Sequence, residues 1–198
     1  MYAPVLIAST IIFAYRRGDK VYPYKRKAMG ALFLIWSLLI GVTYTLYEIN
    51  TSRTDPYILL LFLAVAVAID SAVVDLEYKE IPDVSNFSIA VLGIVASVVA
   101  GRDVLDFLLP AIAIFALFLL LACLGNSMGG GDVKIAAAIG FFIPLDLVLP
   151  FLLVTFGAGS AVGMYQIFIR KREKDYHIAF GPYIALSFTI FAFYNCLI

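Results

Sequence analysis

Charged residues are scarce in this sequence: 14% of its 198 residues are Asp, Glu, Lys or Arg, and 63% are hydrophobic. Soluble domains carry about 25% charged and about 45–50% apolar residues, so a water-soluble globular domain is excluded. Cysteine is rare, since only Cys123 and Cys196 occur, both in apolar segments and without a C-x-x-C motif. The sequence therefore offers no disulfide framework and no cysteine-based metal site. Long polar linkers and internal repeats are absent, which indicates one membrane-embedded domain, residues 1–198.

Apolar stretches take up most of the chain. A helix that crosses a bilayer needs about 20 apolar residues, and a backbone in lipid must satisfy its own hydrogen bonds. The sequence therefore predicts an all-α, polytopic integral membrane bundle of about eight helices, or of six or seven because one stretch is short and ends at Pro144. No basic residue precedes the first stretch, so we expect a span there rather than a cleaved signal peptide. The stretches are approximately 1–15, 28–47, 57–74, 84–100, 104–124, 133–143, 147–169 and 178–197.

Basic residues are divided unequally between the loops. Twelve Lys and Arg residues lie in one alternating set of loops and two in the other. Because basic loops are retained in the cytoplasm, the split places the first set there and both termini outside. It predicts a multi-pass protein of the cytoplasmic membrane, whose basic loop 16–27 contacts anionic lipid. The first set is Arg16, Arg17, Lys20, Lys25, Arg26, Lys27, Lys79, Lys134, Arg170, Lys171, Arg172 and Lys174, and the second is Arg53 and Arg102.

Four carboxylates lie within or beside the predicted spans, where charge is costly and tends to be functional. They are Asp70, Asp75, Glu77 and Asp132. Asp75 lies seven residues before Pro82, and Pro82 fits the first turn of the next helix. A cytoplasmic turn therefore follows Asp75 closely. We expect Asp70, deeper in the membrane, either to tune the site or to bond a neighbouring helix, and Glu77 to face the rim.

A glycine cluster stands before Asp132, in the run Gly129-Gly130-Gly131-Asp132-Val133-Lys134. Consecutive glycines allow positive φ angles and the close approach of another segment, and the helix dipole favours an acidic residue at a helix start. Asp132 is then expected at the start of the sixth stretch, on the same cytoplasmic face as Asp75. We expect Lys134 either to reach the membrane interface or to anchor this loop.

Asp75 and Asp132 at matching depth suit a carboxylate pair. Two carboxyls about 3 Å apart cannot both ionise, so one stays protonated. The ionised member takes a proton from water, and the neutral member donates toward the carbonyl oxygen of a peptide. Asp75 and Asp132 are therefore the predicted catalytic residues of an aspartic protease. The predicted active-site loop is Gly129, Gly130, Gly131 and Lys134, and neither a metal nor another cofactor is expected.

These motifs resemble those of the type IV prepilin peptidases, a family that includes the preflagellin peptidases. The family carries an Asp seven residues before a Pro, which is the spacing of Asp75 and Pro82. It also carries G-x-G-D-x-K, which residues 129–134 match, and P-F-G-P at the last span, which residues 179–182 match at three of four positions. The resemblance implies supporting roles for Pro82, Gly181 and Pro182.

The resemblance also implies a substrate. Members of this family cut the short basic leader from pilin-like or archaellin-like precursors at the cytoplasmic face of the membrane. Many bacterial members carry a cysteine-rich insert after the first span and methylate the new N-terminus, but here that place is 16–27, which holds no cysteine. We therefore predict peptidase activity alone. The expected partners are the precursor and membrane lipid, with no nucleic acid.

Two other functions are weighed against this one. Presenilin-like intramembrane proteases also carry G-x-G-D, but they resemble this chain less, since it has Val74-Asp75 where they have Tyr-Asp and it lacks Pro-Ala-Leu. A proton-coupled transporter would use Asp70, Asp75 and Asp132 as a relay. Such transporters usually show internal repeats and sites near the middle of the membrane, and this sequence shows neither.

Overall fold

The computed structural model describes residues 55–125, 128–169 and 178–197, together with isolated residues between 11 and 47. The first two predicted spans, 1–15 and 28–47, therefore lie largely outside the described residues. The same holds for most of the two basic loops and for the predicted position of the N-terminus.

The described residues are helical throughout, with turns between the helices and no strand among them. A 3₁₀ turn, Leu145–Leu147, leads into the fifth helix, and a π-helical segment, Tyr165–Ile169, extends it. The all-α prediction is confirmed for this part of the chain. Within residues 55–125, 128–169 and 178–197 the α-helices are α1 Pro56–Tyr78, α2 Asp83–Val99, α3 Val104–Gly125, α4 Gly130–Gly140, α5 Val148–Met164 and α6 Gly181–Leu197.

Three helical segments are long and apolar enough to cross a membrane: Pro56–Tyr78, Val104–Leu124 and Leu145–Ile169. They confirm the predicted spans at 57–74, 104–124 and 147–169, and with them a polytopic membrane protein. The described part of α6 and all of α2 are shorter apolar helices. The count of eight spans stays a prediction.

The sixth predicted span, 133–143, lies on α4, which has only 11 residues. At a rise of about 1.5 Å per residue it is about half as long as the hydrocarbon core, which measures about 30 Å. α4 is therefore too short to span the bilayer by itself. It packs against α2, α3 and α6, so its neighbours cover it.

The far end of α4 is held by hydrogen bonds from two other parts of the bundle. Ser97 Oγ and Arg102 Nη1 donate to the Phe141 carbonyl oxygen at 3.0 and 3.2 Å. Tyr57 Oη donates to the Phe142 carbonyl oxygen at 3.2 Å. These donors satisfy backbone oxygens that the helix end leaves without intrahelical partners. They fix one end of α4, and the other end begins at the glycine cluster.

Candidate active site

Asp75 lies in the last turn of α1, three residues before the helix ends at Tyr78. Lys79 ends the helix in the left-handed region, with φ 61°, and its N–H donates to the Asp75 carbonyl oxygen at 2.9 Å. The chain then turns into α2. Pro82 is the N-cap of α2, one residue before the first helical turn where the sequence predicted it. The turn between α1 and α2 therefore follows Asp75 as closely as expected.

The Asp75 carboxylate is buried and is held by the start of α6. Its Oδ2 accepts a hydrogen bond from the Gly181 N–H at 2.9 Å. Any Cβ at position 181 would stand 2.9 Å from that same Oδ2, so the contact requires glycine. Pro182 follows within the first helical turn, where its missing N–H costs no hydrogen bond. This explains physically why a Gly-Pro pair begins α6.

Asp132 lies in the first turn of α4, three residues after the N-cap Gly129. Its Oδ2 accepts the Gly129 N–H at 3.2 Å, and its own N–H donates to the Gly129 carbonyl oxygen at 3.1 Å. The backbone here does not adopt the positive φ angles that the glycines allow, because Gly129 has φ −72° and the next two glycines are helical. The expected close approach is found at Gly131, where a Cβ would stand 3.1 Å from Ile81 Cβ.

Asp75 and Asp132 line one cleft of about 360 Å³. They reach it from different helices, at the C-terminal end of α1 and the N-terminal end of α4. The structure thus brings the two predicted carboxylates together with the glycine cluster. The remaining lining residues are Lys79, Glu80, Ile81, Asp83, Gly129, Gly130, Gly131 and Lys134.

The electrostatics of the cleft favour one shared proton. Burial of the Asp132 side chain raises its pKa most, the charge of Asp75 raises it further, and the Gly129 N–H opposes both, so that the pKa is about 7. An ordinary aspartate has a pKa of about 3.9. Near neutral pH the site can therefore keep one proton between two carboxyls, which is the state that acid–base chemistry by such a pair requires.

Lys134 forms an ion pair with Asp83, with 2.7 Å between Nζ and Oδ1. The hydrogen bond and charge of this ammonium hold the pKa of Asp83 below its usual range. Both side chains are largely exposed. The pair joins the start of α4 to the start of α2, so Lys134 lies at the cleft and ties the glycine cluster to α2.

Asp70 is not part of this cleft. Arg16 Nε lies 3.1 and 2.9 Å from its two carboxylate oxygens, and Arg16 Nη2 lies 2.7 Å from Oδ2. Of the two roles expected for Asp70, bonding a neighbouring segment is the one observed. The lipid contact predicted for loop 16–27 is wrong for Arg16, which is buried in this ion pair.

The other predicted supporting residues lie near the site without lining it. Among the described residues, Glu77, Pro82 and Pro182 all fall outside the cleft lining. Sequence reasoning missed Ile81, which lines the cleft together with the two carboxylates. Its place one residue before Pro82, inside a motif, was the available signal.

The helical fold and the cleft define a class: a polytopic membrane protein with two acidic side chains that line one cleft at helix ends. The profile of the type IV leader peptidase family matches residues 57–164. This match covers more than half of the chain and includes Asp75, Asp132 and most of the cleft. The protein belongs to the type IV leader peptidase family, which is a family of aspartic peptidases. The predicted family is thereby confirmed.

Three curated relatives, each named a prepilin leader peptidase/N-methyltransferase, are similar to this chain. The Xanthomonas campestris pv. campestris protein is 29% identical over 129 residues, which cover 62% of this chain and 45% of that protein. The Legionella pneumophila protein is 26% identical over 182 residues, covering 88% and 59%. The Pseudomonas aeruginosa protein is 27% identical over 203 residues, which cover 87% of this chain and 67% of that protein. The chain thus spans about half the length of the first two relatives. No solved structure gives a significant match.

Proposed function

We propose that this protein is an aspartic endopeptidase that removes the leader peptide from pilin-like or archaellin-like precursors. One observation carries the proposal: Asp75 and Asp132 meet in a single cleft from separate helices, with the pKa of Asp132 at about 7. The family match and the names of the relatives supply the substrate class. Neither alternative function has an observation in its favour. Asp70, which a proton relay would need, is engaged by Arg16.

The reaction needs one water and one proton in the cleft. The ionised carboxylate takes a proton from the water as its oxygen bonds to the scissile carbonyl carbon. The protonated carboxyl donates to the carbonyl oxygen, so that a neutral tetrahedral intermediate forms. That intermediate collapses when the C–N bond breaks: one of its hydroxyls gives a proton to the ionised carboxylate, and the leaving nitrogen takes the proton of the other carboxyl. The pair then returns to its one-proton state, with one carboxyl and one amine released.

The proposed location of this reaction is the cytoplasmic face of the membrane. The basic residues Lys79 and Lys134 belong to the loop set that carries twelve of the fourteen Lys and Arg residues, and both line the cleft. Because basic loops are retained in the cytoplasm, the cleft opens to that side. A precursor with an apolar helix in the bilayer would present its leader at this level.

The test is cleavage of a purified precursor by the purified full chain in lipid vesicles. Asp75→Asn and Asp132→Asn remove the acid–base groups with little change of shape, so the leader should stay attached in both variants. Asp146→Asn is the matched control, because this aspartate is exposed and lies in the turn before α5. Cleavage by either cleft variant at the wild-type rate would exclude the proposal.

The same reaction reports on the second activity in the relatives' names. With a methyl donor present, mass spectrometry of the cleaved product reads the state of its new N-terminus. We propose peptidase activity alone, and therefore expect a free amine. A methylated product made by this chain without another protein would contradict that part of the proposal.

A further inference from the structure

Ile81 lies in the turn between α1 and α2 and packs against two glycines of other helices. A Cβ at Gly131, in the first turn of α4, would stand 3.1 Å from Ile81 Cβ. A Cβ at Gly181, the first residue of α6, would stand 3.3 Å from Ile81 Cδ1. The Ile81 side chain therefore occupies space that exists because both positions lack side chains.

Each of these glycines is tied directly to one carboxylate of the pair. Gly131 immediately precedes Asp132 in α4. Gly181 donates its N–H to Asp75 Oδ2 at 2.9 Å. Ile81 itself lines the cleft together with Asp75 and Asp132. A single aliphatic side chain thus contacts both the backbone that carries one acid and the backbone that holds the other.

We infer that Ile81 is a positioning residue, whose bulk between Gly131 and Gly181 sets the separation of Asp75 and Asp132. This inference rests on the proposed peptidase function. It deepens that function by assigning a role to an apolar residue that takes no part in proton transfer. A smaller side chain would let the starts of α4 and α6 shift toward the emptied space, and both carboxylates would shift with them.

The separation matters for two physical reasons. A misplacement of about 1 Å in a reacting group can lower a rate by about 100-fold. The repulsion between two carboxylates also changes with their distance, so the two apparent pKa values of the pair depend on it. A change at Ile81 should therefore alter both the rate and the pH dependence of cleavage. The other charged side chains that line the cleft are Lys79, Glu80, Asp83 and Lys134, and Ile81→Ala replaces none of them.

The first experiment compares Ile81→Ala with Ile89→Ala. Ile89 is a fully buried isoleucine of α2 that does not line the cleft, so its variant measures the general effect of an emptied core site. For Ile81→Ala we expect kcat to fall about 10- to 100-fold, with KM within about twofold and a displaced pH profile. For Ile89→Ala the pH profile should match that of the wild type, even where the Tm is lowered.

Two outcomes would overturn the inference. A raised KM with an unchanged pH profile would mean that Ile81 only contacts substrate. An unchanged kcat and pH profile in a folded Ile81→Ala protein would mean that its bulk does not matter.

The second experiment tests the contact between Ile81 and Gly181. Gly181→Ala would push a methyl group against Asp75 Oδ2 and against Ile81 Cδ1, whereas Ile81→Val removes that Cδ1. The double variant should therefore recover part of the kcat that Gly181→Ala loses. The combination of Gly181→Ala with Ile89→Val should recover none. Independent, multiplicative effects in the Ile81 double variant would contradict the inference.

A third measurement does not depend on activity. In a chain with Cys123→Ser and Cys196→Ser, the pair Asp75→Cys and Asp132→Cys reports the separation by its rate of disulfide formation. Adding Ile81→Ala should change this rate at least about threefold, because a disulfide needs the two Cβ atoms about 3.5–4.5 Å apart. If the rate of disulfide formation changes but the wild type never cleaves a precursor, the proposed function fails while the positioning role stands. If the wild type cleaves and the rate is unchanged, the positioning role fails alone.

Discussion

Asp70 and Asp75 are the same residue type on the same helix, five residues apart and equally buried, with exposed fractions of 3% and 5%. Their partners differ completely. Asp70 receives three close contacts from the Arg16 guanidinium, the shortest at 2.7 Å. Asp75 receives a backbone N–H from Gly181 and shares a cleft with another acid, Asp132.

Burial alone therefore does not distinguish a carboxylate that is paired with a cation from one that shares a cleft with a second acid. A guanidinium beside a buried acid compensates its charge and hydrogen-bonds to it, which suits a structural role. An acid that shares a cleft with a second acid lacks such a guanidinium partner, and a pair of this kind can hold a proton for transfer. The two sites differ in the residues that contact each aspartate: Arg16 contacts Asp70, whereas Gly181 contacts Asp75 and Asp132 shares its cleft. The following predictions are ways to break that difference or to measure it.

The largest expected difference is in cleavage by the two Asn variants. Asp75→Asn should lower the cleavage rate by roughly 10²- to 10⁴-fold, because general acid–base groups make contributions of that size. Asp70→Asn should leave the rate per folded molecule within about threefold, because the side chain lies outside the cleft. Initial rates on one precursor, divided by the folded fraction from size-exclusion chromatography, measure both effects. Equal losses in the two variants would abolish the distinction drawn here.

The ion pair of Asp70 should matter for the stability of the fold rather than for the cleavage rate. Arg16→Met leaves a buried carboxylate without its cation, which costs about 3–5 kcal/mol in the free energy of unfolding. Combining it with Asp70→Leu should restore part of that loss, because the Asp70 charge is then removed as well. Asp19, which pairs with Arg16 at 3.1 Å, still lacks its cation in the double variant. Denaturant titration in detergent measures the free energy. If the double variant is no more stable than Arg16→Met alone, the ion pair is not what Asp70 contributes.

Much of the fold follows from sequence patterns alone. Apolar length predicts the helices that cross the membrane at α1, α3 and α5, because lipid leaves the backbone no other way to satisfy its hydrogen bonds. The alternation of basic loops predicts that Asp75 and Asp132 lie on one face, and the cleft contains both. Their catalytic role stays a prediction for the variants to test.

Contacts between distant segments do not follow from such patterns. Nothing near Asp70 in the sequence indicates a partner 54 residues away, and Arg16 instead looks like part of a basic loop. The close packing of Ile81 on Gly131 and Gly181 arises only when three helix ends meet. The glycine cluster correctly predicted the close approach of another segment. The small size of glycine does not specify a φ angle, however, and Gly129 has an ordinary negative φ.

A smaller effect should appear in the pH dependence of stability. The folded pKa of Asp132, about 7, lies above the value of about 3.9 for an unfolded aspartate. The folded state therefore binds the proton more tightly, and this stabilisation is fully present below about pH 4 and is lost as pH rises through about 7. Wild-type Tm should fall by a few degrees across that window, and the Tm of Asp132→Asn should fall less.

Cleavage should depend on pH in the same direction. When pH rises through about 7, Asp132 loses the proton that the pair shares, and the rate should decline because no neutral carboxyl remains to donate. Rates and Tm values measured over the same buffers check both statements. A Tm slope identical in wild type and Asp132→Asn would show that Asp132 does not carry the proton.

The smallest expected effect concerns the exposed ion pair at the mouth of the cleft. Lys134 and Asp83 lie 2.7 Å apart, but their side chains are 56% and 76% exposed, and such pairs contribute about 0–1 kcal/mol. Lys134→Met should therefore change the free energy of unfolding by less than about 1 kcal/mol and the cleavage rate by no more than a few-fold. Lys134→Arg, which keeps the charge, is the matched control. A loss as large as that of Asp132→Asn would instead place Lys134 among the reacting groups. The contrast between Asp70, which is paired with a cation, and Asp75, which shares a cleft with a second acid, would then no longer separate a structural site from a reacting one.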